Sequence, residues 1–428
     1  MRFTQLHDWL RWLEVQHPRQ IDLGLERVAA VAETLALDLP MPVITVAGTN
    51  GKGSCVALLN SILRADGYSV GSYTSPHLLR YNERVCIDGE MVDDAALCRA
   101  FAEVDRARQG TSLSYFEFGT LAALWLFAEA APDVLVLEVG LGGRLDAVNI
   151  IDADIAIISS VDLDHESWLG NNREDIGREK AGIMRAAKPV VFGDPRPCAA
   201  VSQCAIDKLA HLVERGSDFG FEDTAESWLW RGVDRNRQPK VLADLPKPEL
   251  LLDNAATVIQ ALQFFPTEIS HEAIRAGIEQ ASVPARGQRL RLRQCDLVLD
   301  VAHNAAAVAR LADRLGQEAA GRTVAVFALM ADKKLDSLLG EIKHRIDYWY
   351  LPELPGNDRA MAPAALRAGL IAAGIDERRV ELIDLHTDLP GVLNAMAGDD
   401  TLLAFGSFFT VAAVLEALPA SAFAEALH

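Results

Sequence analysis

The chain has 428 residues, half of them apolar, and a formal net charge of −19 from 41 basic and 60 acidic side chains. That length exceeds one ordinary core, so two domains are expected, and the apolar content excludes a disordered chain. An acidic surface without a basic stripe argues against nucleic acid and anionic lipid partners.

In chain order, the start Met1 to Gln5 lacks the apolar core and cleavage site of a signal peptide. The first strong element is the β-branched run Val43–Val46. It feeds a glycine-rich turn, Gly48-Thr49-Asn50-Gly51-Lys52-Gly53-Ser54, after which Cys55 to Arg64 reads as a helix. Strand, turn and helix in that order suit an anion: glycines let amides turn inward, the helix N-terminus adds partial positive charge, and lysine adds a full one. The turn departs from a Walker A loop, since Val46 stands at the first glycine and Gly53 at the hydroxyl position. A phosphate loop is still a better reading than a structural turn.

Helical patterns follow at Val56–Ala65, Ala95–Ala107 and Gly119–Ala130, with short apolar strands at Val134–Val139, Ile155–Ser159 and Val190–Phe192. The strongest apolar run, Leu121 to Ala128, is closed by Glu129 and is too short for a membrane span. The polar stretch Asp218 to Pro248 reads as hairpin and loop, and Ser282 to Gly287 as a hinge punctuated by proline and glycine. A second series has strands at Leu297–Val301, Val324–Phe327, Trp349–Leu351 and Leu402–Phe405, and helices at Ala305–Ala319, Pro363–Ala373 and Val411–Leu418. The expected class is therefore α/β: a phosphate-loop, doubly wound N-terminal domain and a smaller Rossmann-like C-terminal one. Six cysteines (Cys55, Cys86, Cys98, Cys198, Cys204, Cys295) form no CxxC pair and read as reduced thiols in a cytoplasmic protein.

Phosphoryl chemistry calls for a divalent cation held by hard oxygens, and α/β sheets place such sites at the carboxyl ends of strands. Glu138 stands at one strand tip, before Gly140 to Asp146; taken alone, it reads equally well as an ion pair with Arg144. The next strand leads to Asp162-Leu163-Asp164-His165, where His165 is a candidate metal ligand or an ordinary polar group. Ser75 sits at a third strand-to-loop transition. Lys52, Ser75, Glu138 and His165 together favour a nucleotide–metal site. Lys180 and adjacent Glu179 read by themselves as an exposed charged helix face. Asp300 and His303 end the first strand of the second series, where they could face the first module across the hinge. No G-x-S-x-G elbow and no dinucleotide fingerprint occurs.

Gly48 to Ser54, Ser75-Pro76-His77, Tyr115-Phe116-Glu117, Glu138 to Asn149, Leu163-Asp164-His165, Glu179 to Ile183 and Asp300 to Asn304 together resemble the folylpolyglutamate synthase family, in its bacterial bifunctional dihydrofolate synthase form, among the muramyl-peptide ligases. The resemblance runs from Ile21 to Gly406-Ser407-Phe408. It implies an ATP- and Mg2+-dependent amide ligase adding L-glutamate to 7,8-dihydropteroate and then to reduced folates through an acyl phosphate. It further implies that Thr49, Asn50, Gly51, Lys52, Gly53 and Ser54 hold the phosphates, and that Ser75, Glu138 and His165 surround magnesium. Asn254, Arg286 and Asp300 match nucleotide contacts, and Lys180 matches a lysine carbamylated in relatives. Asp22, Leu23, Gly24 and Leu25, then Ser114, Tyr115, Phe116 and Glu117, then Leu145, Asp146 and Ala147 correspond to dihydropteroate positions. Each has a plainer reading: Leu23 and Leu25 as core, Tyr115 and Phe116 as helix packing, Asp146 as a loop cap. The implied organisation is residues 1–284 for ATP and pterin, and residues 285–428 as the ligase domain, in a monomer. The alternatives are a folylpolyglutamate synthase without the dihydropteroate step, a phosphate-loop NTPase module without ligase activity, and a cell-wall ligase. Val148, Gly287, Ala305 and Ala328 depart from the family's common residues.

Overall fold

The computed structural model describes residues 2–19, 21–293, 295–318, 321–419 and 422–423. They form two compact units, Met1–Ser282 and Val283–His428. The first contains strands β1 (Val43–Ala47), β2 (Val70–Tyr73), β3 (Val85–Ile87), β4 (Glu90–Met91), β5 (Val134–Glu138), β6 (Ile155–Ile158), β7 (Pro189–Phe192) and β8 (His211–Glu214), in the sheet order β4-β3-β2-β5-β1-β6-β7-β8. From β2 to β8 across that order the pairings are parallel, and the β2–β3 and β3–β4 pairings are antiparallel. Every residue of β1 and β5 is buried, as expected of strands with helices on both faces.

The helices of this unit are α1 (Leu6–Val15), α2 (Glu26–Leu35), α3 (Lys52–Ala65), α4 (Asp94–Ala107), α5 (Tyr115–Ala130), α6 (Glu166–Leu169), α7 (Arg173–Lys180), α8 (Ala199–Asp207), α9 (Leu252–Leu262) and α10 (His271–Gln280). On one side α1, α4 and α5 enclose an aromatic core, in which Phe101 lies 5.8 Å from Trp9 and 5.7 Å from Phe118. The polar stretch after β8 is a three-stranded antiparallel sheet, β9 (Gly220–Asp223), β10 (Trp228–Val233) and β11 (Pro239–Leu245), one strand more than a hairpin. Buried Trp230 anchors it to α9 through Nε1, which donates to Ala256 O at 3.1 Å.

Helix α3, which begins at the phosphate turn, is seated against α10 by Gly277: a Cβ there would stand 2.5 Å from Ile62 Cα. Such an approach leaves no flexible atom to yield, so one helix must move. Gly277→Ala is expected to destabilise the protein by about 1–3 kcal/mol, read as a lowered urea midpoint with unchanged slope.

In the second unit β12 (Arg286–Arg291), β13 (Asp296–Asp300), β14 (Thr323–Phe327), β15 (Tyr348–Pro352), β16 (Val380–Ile383) and β17 (Thr401–Phe405) form a sheet of order β12-β13-β17-β14-β15-β16. Only β12 is antiparallel to its neighbour. The connecting helices are α11 (Ala305–Glu318), α12 (Leu335–Leu339), α13 (Pro363–Ala372), α14 (Leu385–Asn394) and α15 (Phe408–Ala417). Ala319, the expected end of α11, lies outside the described residues. The core is aromatic, with Phe405 stacked on Phe327 at 4.6 Å. Among the described residues no helix is long and apolar enough to cross a membrane.

Candidate active site

Strand order decides which side chains meet. β1 lies between β5 and β6, with Val46 opposite Glu138 and Ala47 opposite Ile158. The turn after β1 therefore runs between Glu138 and the loop carrying Asp164 and His165.

In that turn Gly51 has φ 86°, the left-handed conformation that frees the chain to enter α3 at Lys52. A Cβ on Gly51 would come within 2.5 Å of Asn254 Oδ1, and one on Gly53 would stand 3.8 Å from Glu138 Oε2. The turn is pinned from β6: Thr49 N donates to Ser160 O, and Asn50 N to Ser160 Oγ, both at 2.9 Å. Those two amides are thus occupied. The donors left without an intrahelical acceptor are the first-turn amides of Lys52, Gly53 and Ser54, at the positive end of the helix dipole. Lys52 Nζ donates to Gly48 O at 3.0 Å, arching over the turn. Asn254, near the start of α9, is buried, and its Nδ2 has no hydrogen-bond partner among the described residues. A buried amide donor left unpaired beside a phosphate turn fits a nucleobase acceptor.

Glu138 is buried, and its Oε2 accepts from Ser75 N at 3.3 Å. His165 takes φ 50°, and its amide donates to Asp164 Oδ1 at 2.8 Å. Among the described residues no three His, Cys, Asp or Glu side chains cluster as a metal site. Ser75, Glu138 and His165 supply one carboxylate, one hydroxyl and one imidazole, a donor set that suits magnesium when nucleotide phosphates and water complete the shell.

Lys180 ends α7 buried, not on an exposed face. Burial, together with the Lys52 cation and against Asp164, pushes its ammonium down to about 7. Its neighbour Glu179 is half-buried and pairs with Arg144 at 2.9 Å. The close approach of Gly182 to Arg144 locks this segment, since a Cβ on Gly182 would lie 2.2 Å from Arg144 Cα.

The expected pterin residues gather around the N-terminus of α5. Ser114 and Glu117 form a capping box, with Ser114 N donating to Glu117 Oε2 at 2.7 Å and Glu117 N to Ser114 Oγ at 3.3 Å. Arg27 bridges Glu117 at 2.9 Å and Asp22 at 3.0 Å, so the Asp22–Leu25 segment is tied to α5. Leu23, Gly24 and Leu145 are half-buried; Leu25 packs on the aromatic core, and Ala147 is buried. Phe116 lies 5.9 Å from Tyr73 and covers Gly140, where a Cβ would meet its ring at 2.6 Å. Asp146 is a loop cap: it is buried and accepts from Leu141 N at 2.8 Å and Val148 N at 3.0 Å. Burial pushes its carboxyl up to about 6 against those bonds and the Lys52 charge.

In the second unit Arg286 and Asp300 are register partners on β12 and β13. Burial raises the Asp300 carboxyl, against the Arg286 guanidinium and the Ala302 amide. His303 Nδ1 is 2.7 Å from Val301 O, which makes Nδ1 the protonated nitrogen. Asn304 caps α11 by accepting from Ala307 N at 3.0 Å.

A sequence model of the Mur ligase glutamate ligase domain matches residues 285–408. The dihydrofolate synthase/folylpolyglutamate synthase of Escherichia coli K12 is 42% identical over 419 residues, covering 97% of this chain and 96% of that protein. The chain belongs to the dihydrofolate synthase/folylpolyglutamate synthase family. Among solved structures, E. coli FolC in complex with DHPP and ADP superposes with a TM-score of 0.89 at 42% identity, covering 96% of this chain and 97% of that one. A bifunctional family member with Mn, AMPPNP and L-glutamate bound gives 0.88, also at 42% identity, covering 96% and 98%.

One departure from the family's common residues has a visible cause. Gly287 has φ 66°, a left-handed backbone that L side chains rarely adopt, so a larger residue there is strained. Sequence reading missed Arg27, which pairs with Asp22 and Glu117, and Arg84, which lies over Tyr115; His77 appeared in the Ser75-Pro76-His77 motif without a role. Burial and the adjacent Arg84 cation push His77 down to about 4. The Ser114-x-x-Glu117 spacing was the available signal for the cap and hence for α5's true start.

Proposed function

We propose that this chain is an ATP- and Mg2+-dependent ligase that joins L-glutamate to 7,8-dihydropteroate, forming dihydrofolate, and then extends reduced folates by further glutamates. What carries the reading is near full-length similarity to the E. coli bifunctional enzyme, joined to a glycine turn that sets Gly53 beside Glu138 and arches Lys52 back over Gly48. Residues 1–284 are assigned to nucleotide and pterin binding and residues 285–428 to the ligase domain, in a cytoplasmic monomer.

A carboxylate resists attack by an amine until one oxygen becomes a leaving group. The acceptor carboxylate takes the γ-phosphoryl group of ATP, releasing ADP. Glutamate's amine then adds to the acyl carbon, and phosphate and a proton depart. First-turn amides of α3 and Lys52 hold the phosphates and oppose the charge that develops as the phosphoryl group moves. Ser75, Glu138 and His165 would hold magnesium, which neutralises phosphate charge. Asn254, Arg286 and Asp300 are assigned to the nucleotide, and His303 to the ligation chemistry. Lys180, whose ammonium burial and the Lys52 charge push down to about 7, is suited to carbamylation, which needs the free amine.

The test is glutamate incorporation. Radiolabelled glutamate should enter product with dihydropteroate and ATP together, and with tetrahydrofolate and ATP together. Incorporation with tetrahydrofolate alone would reduce the reading to chain extension. ATP turnover without incorporation would replace it with the NTPase alternative.

A further inference from the structure

Arg84 is 8% exposed and ends the short helical turn Tyr81–Arg84, in the segment that follows Ser75. Its carbonyl accepts from Thr74 N at 2.9 Å, which ties that segment to the end of β2. Its guanidinium lies over the rings of Tyr81, at 5.3 Å, and Tyr115, at 5.6 Å. Nε donates to His77 Nδ1 at 2.8 Å; a ring nitrogen that accepts carries no proton, so the imidazole offers no counter-charge.

Nearby carboxylates are committed elsewhere. Glu83 accepts from the amides of Leu78, Leu79 and Arg80 at 2.6, 2.8 and 2.6 Å. Asp146 is engaged by backbone amides, as described above. Among the described residues Arg84 forms no ion pair, its side-chain contacts being His77, the Tyr73 hydroxyl and the faces of Tyr81 and Tyr115. A buried guanidinium without a carboxylate is unfavourable, and ring faces offset only part of that. A plain packing role would be served as well by an apolar side chain. What guanidinium adds is a rigid fork that matches a carboxylate.

Tyr115 opens α5, the element that carries the expected acceptor residues. The two acceptors of the proposed reaction differ in charge there: dihydropteroate has only the carboxylate that reacts, whereas a folyl-glutamate has a second one that does not. We propose that Arg84 binds this second, unreacting carboxylate, and so determines specificity for chain extension while leaving the dihydropteroate reaction largely alone. This rests on the ligase reading above.

The experiment compares kcat/KM for the two acceptors in wild type, Arg84→Met and Arg84→Lys, with thermal melts confirming the fold. Loss of a buried charge-assisted pair predicts about a 30-fold fall for tetrahydrofolate in Arg84→Met and a change within about 3-fold for dihydropteroate. Arg84→Lys should recover part of the loss. A second arm needs no variant to fold. Of the two monoamides of the folyl glutamate, one blocks the reacting carboxylate and is inert. The other should be disfavoured by wild type relative to its parent. Equal losses for both acceptors, or a wild type indifferent to that second monoamide, would overturn the assignment. Wild type that transfers glutamate to neither acceptor would instead sink the ligase reading itself, a distinguishable failure.

Discussion

Lys52→Ala should lower kcat for dihydrofolate formation by about 10³-fold or more, while the melting temperature stays close to wild type. The lysine opens α3, and among the described residues its Nζ bonds to Gly48 O, a backbone atom of the same turn. Its charge is felt by both Asp146 and Lys180, which places it within the polar cluster at the carboxyl end of the sheet. The first-turn amides remain in the variant, so nucleotide affinity should fall much less than turnover. That split separates transition-state stabilisation from binding. Lys52→Arg should not restore the rate, because a planar guanidinium cannot take the compact position of an ammonium in so tight a turn. Steady-state assays with ATP, glutamate and dihydropteroate, alongside nucleotide titration, measure both quantities. Undiminished amide formation by Lys52→Ala would refute the phosphate-loop assignment.

The strands were legible where burial on both faces removes any need for polar alternation. Val43–Val46, Val134–Val139 and Val324–Phe327 differ from the observed elements by a residue at an end, within the ordinary fraying of strand limits. Elements whose identity depends on partners were harder to see. β8 is mixed in polarity and gains its place only by pairing with β7, and β9 is Gly-Phe-Glu-Asp, without alternation of its own. α1 and α2 were passed over because their apolar residues serve an aromatic core built mostly by α4 and α5. At the site, strand-tip logic brought Lys52, Ser75, Glu138 and His165 together as candidates, since the sheet order places their loops side by side. Lys180 was opaque: its neighbours Arg178 and Glu179 are partners of Asp175 and Arg144, and only the turn into Ala181–Ile183 buries the lysine among them. Arg84 was equally hidden, because its stacking on Tyr81 and Tyr115 joins residues far apart in the chain.

Lys180 gives the other large effect, and its direction follows from proton bookkeeping. An amine attacks carbon dioxide only when neutral, giving a carbamate and releasing a proton. An ordinary lysine, near 10.4, is neutral in roughly one molecule per thousand at pH 7.4, which makes a stable carbamate rare. Burial and the Lys52 charge bring Lys180 down to about 7, so at that pH most of it is neutral. Its reactive fraction rises as pH climbs through 7 and falls below it. Enzyme stripped of carbon dioxide at pH 6 should therefore lose activity, and at equal dissolved carbon dioxide activity should return faster at pH 8 than at pH 6. The conversion replaces a buried amine with an anion, which favours both the Lys52 cation and a divalent cation. Lys180→Met, which keeps the stem and drops the amine, should lower kcat by about 10²-fold or more and abolish the bicarbonate response. Mass analysis of intact protein at pH 8 under bicarbonate supplies the direct reading, a gain of one carbon dioxide in wild type and none in Lys180→Met. Full activity in Lys180→Met would show that the buried amine serves the fold alone.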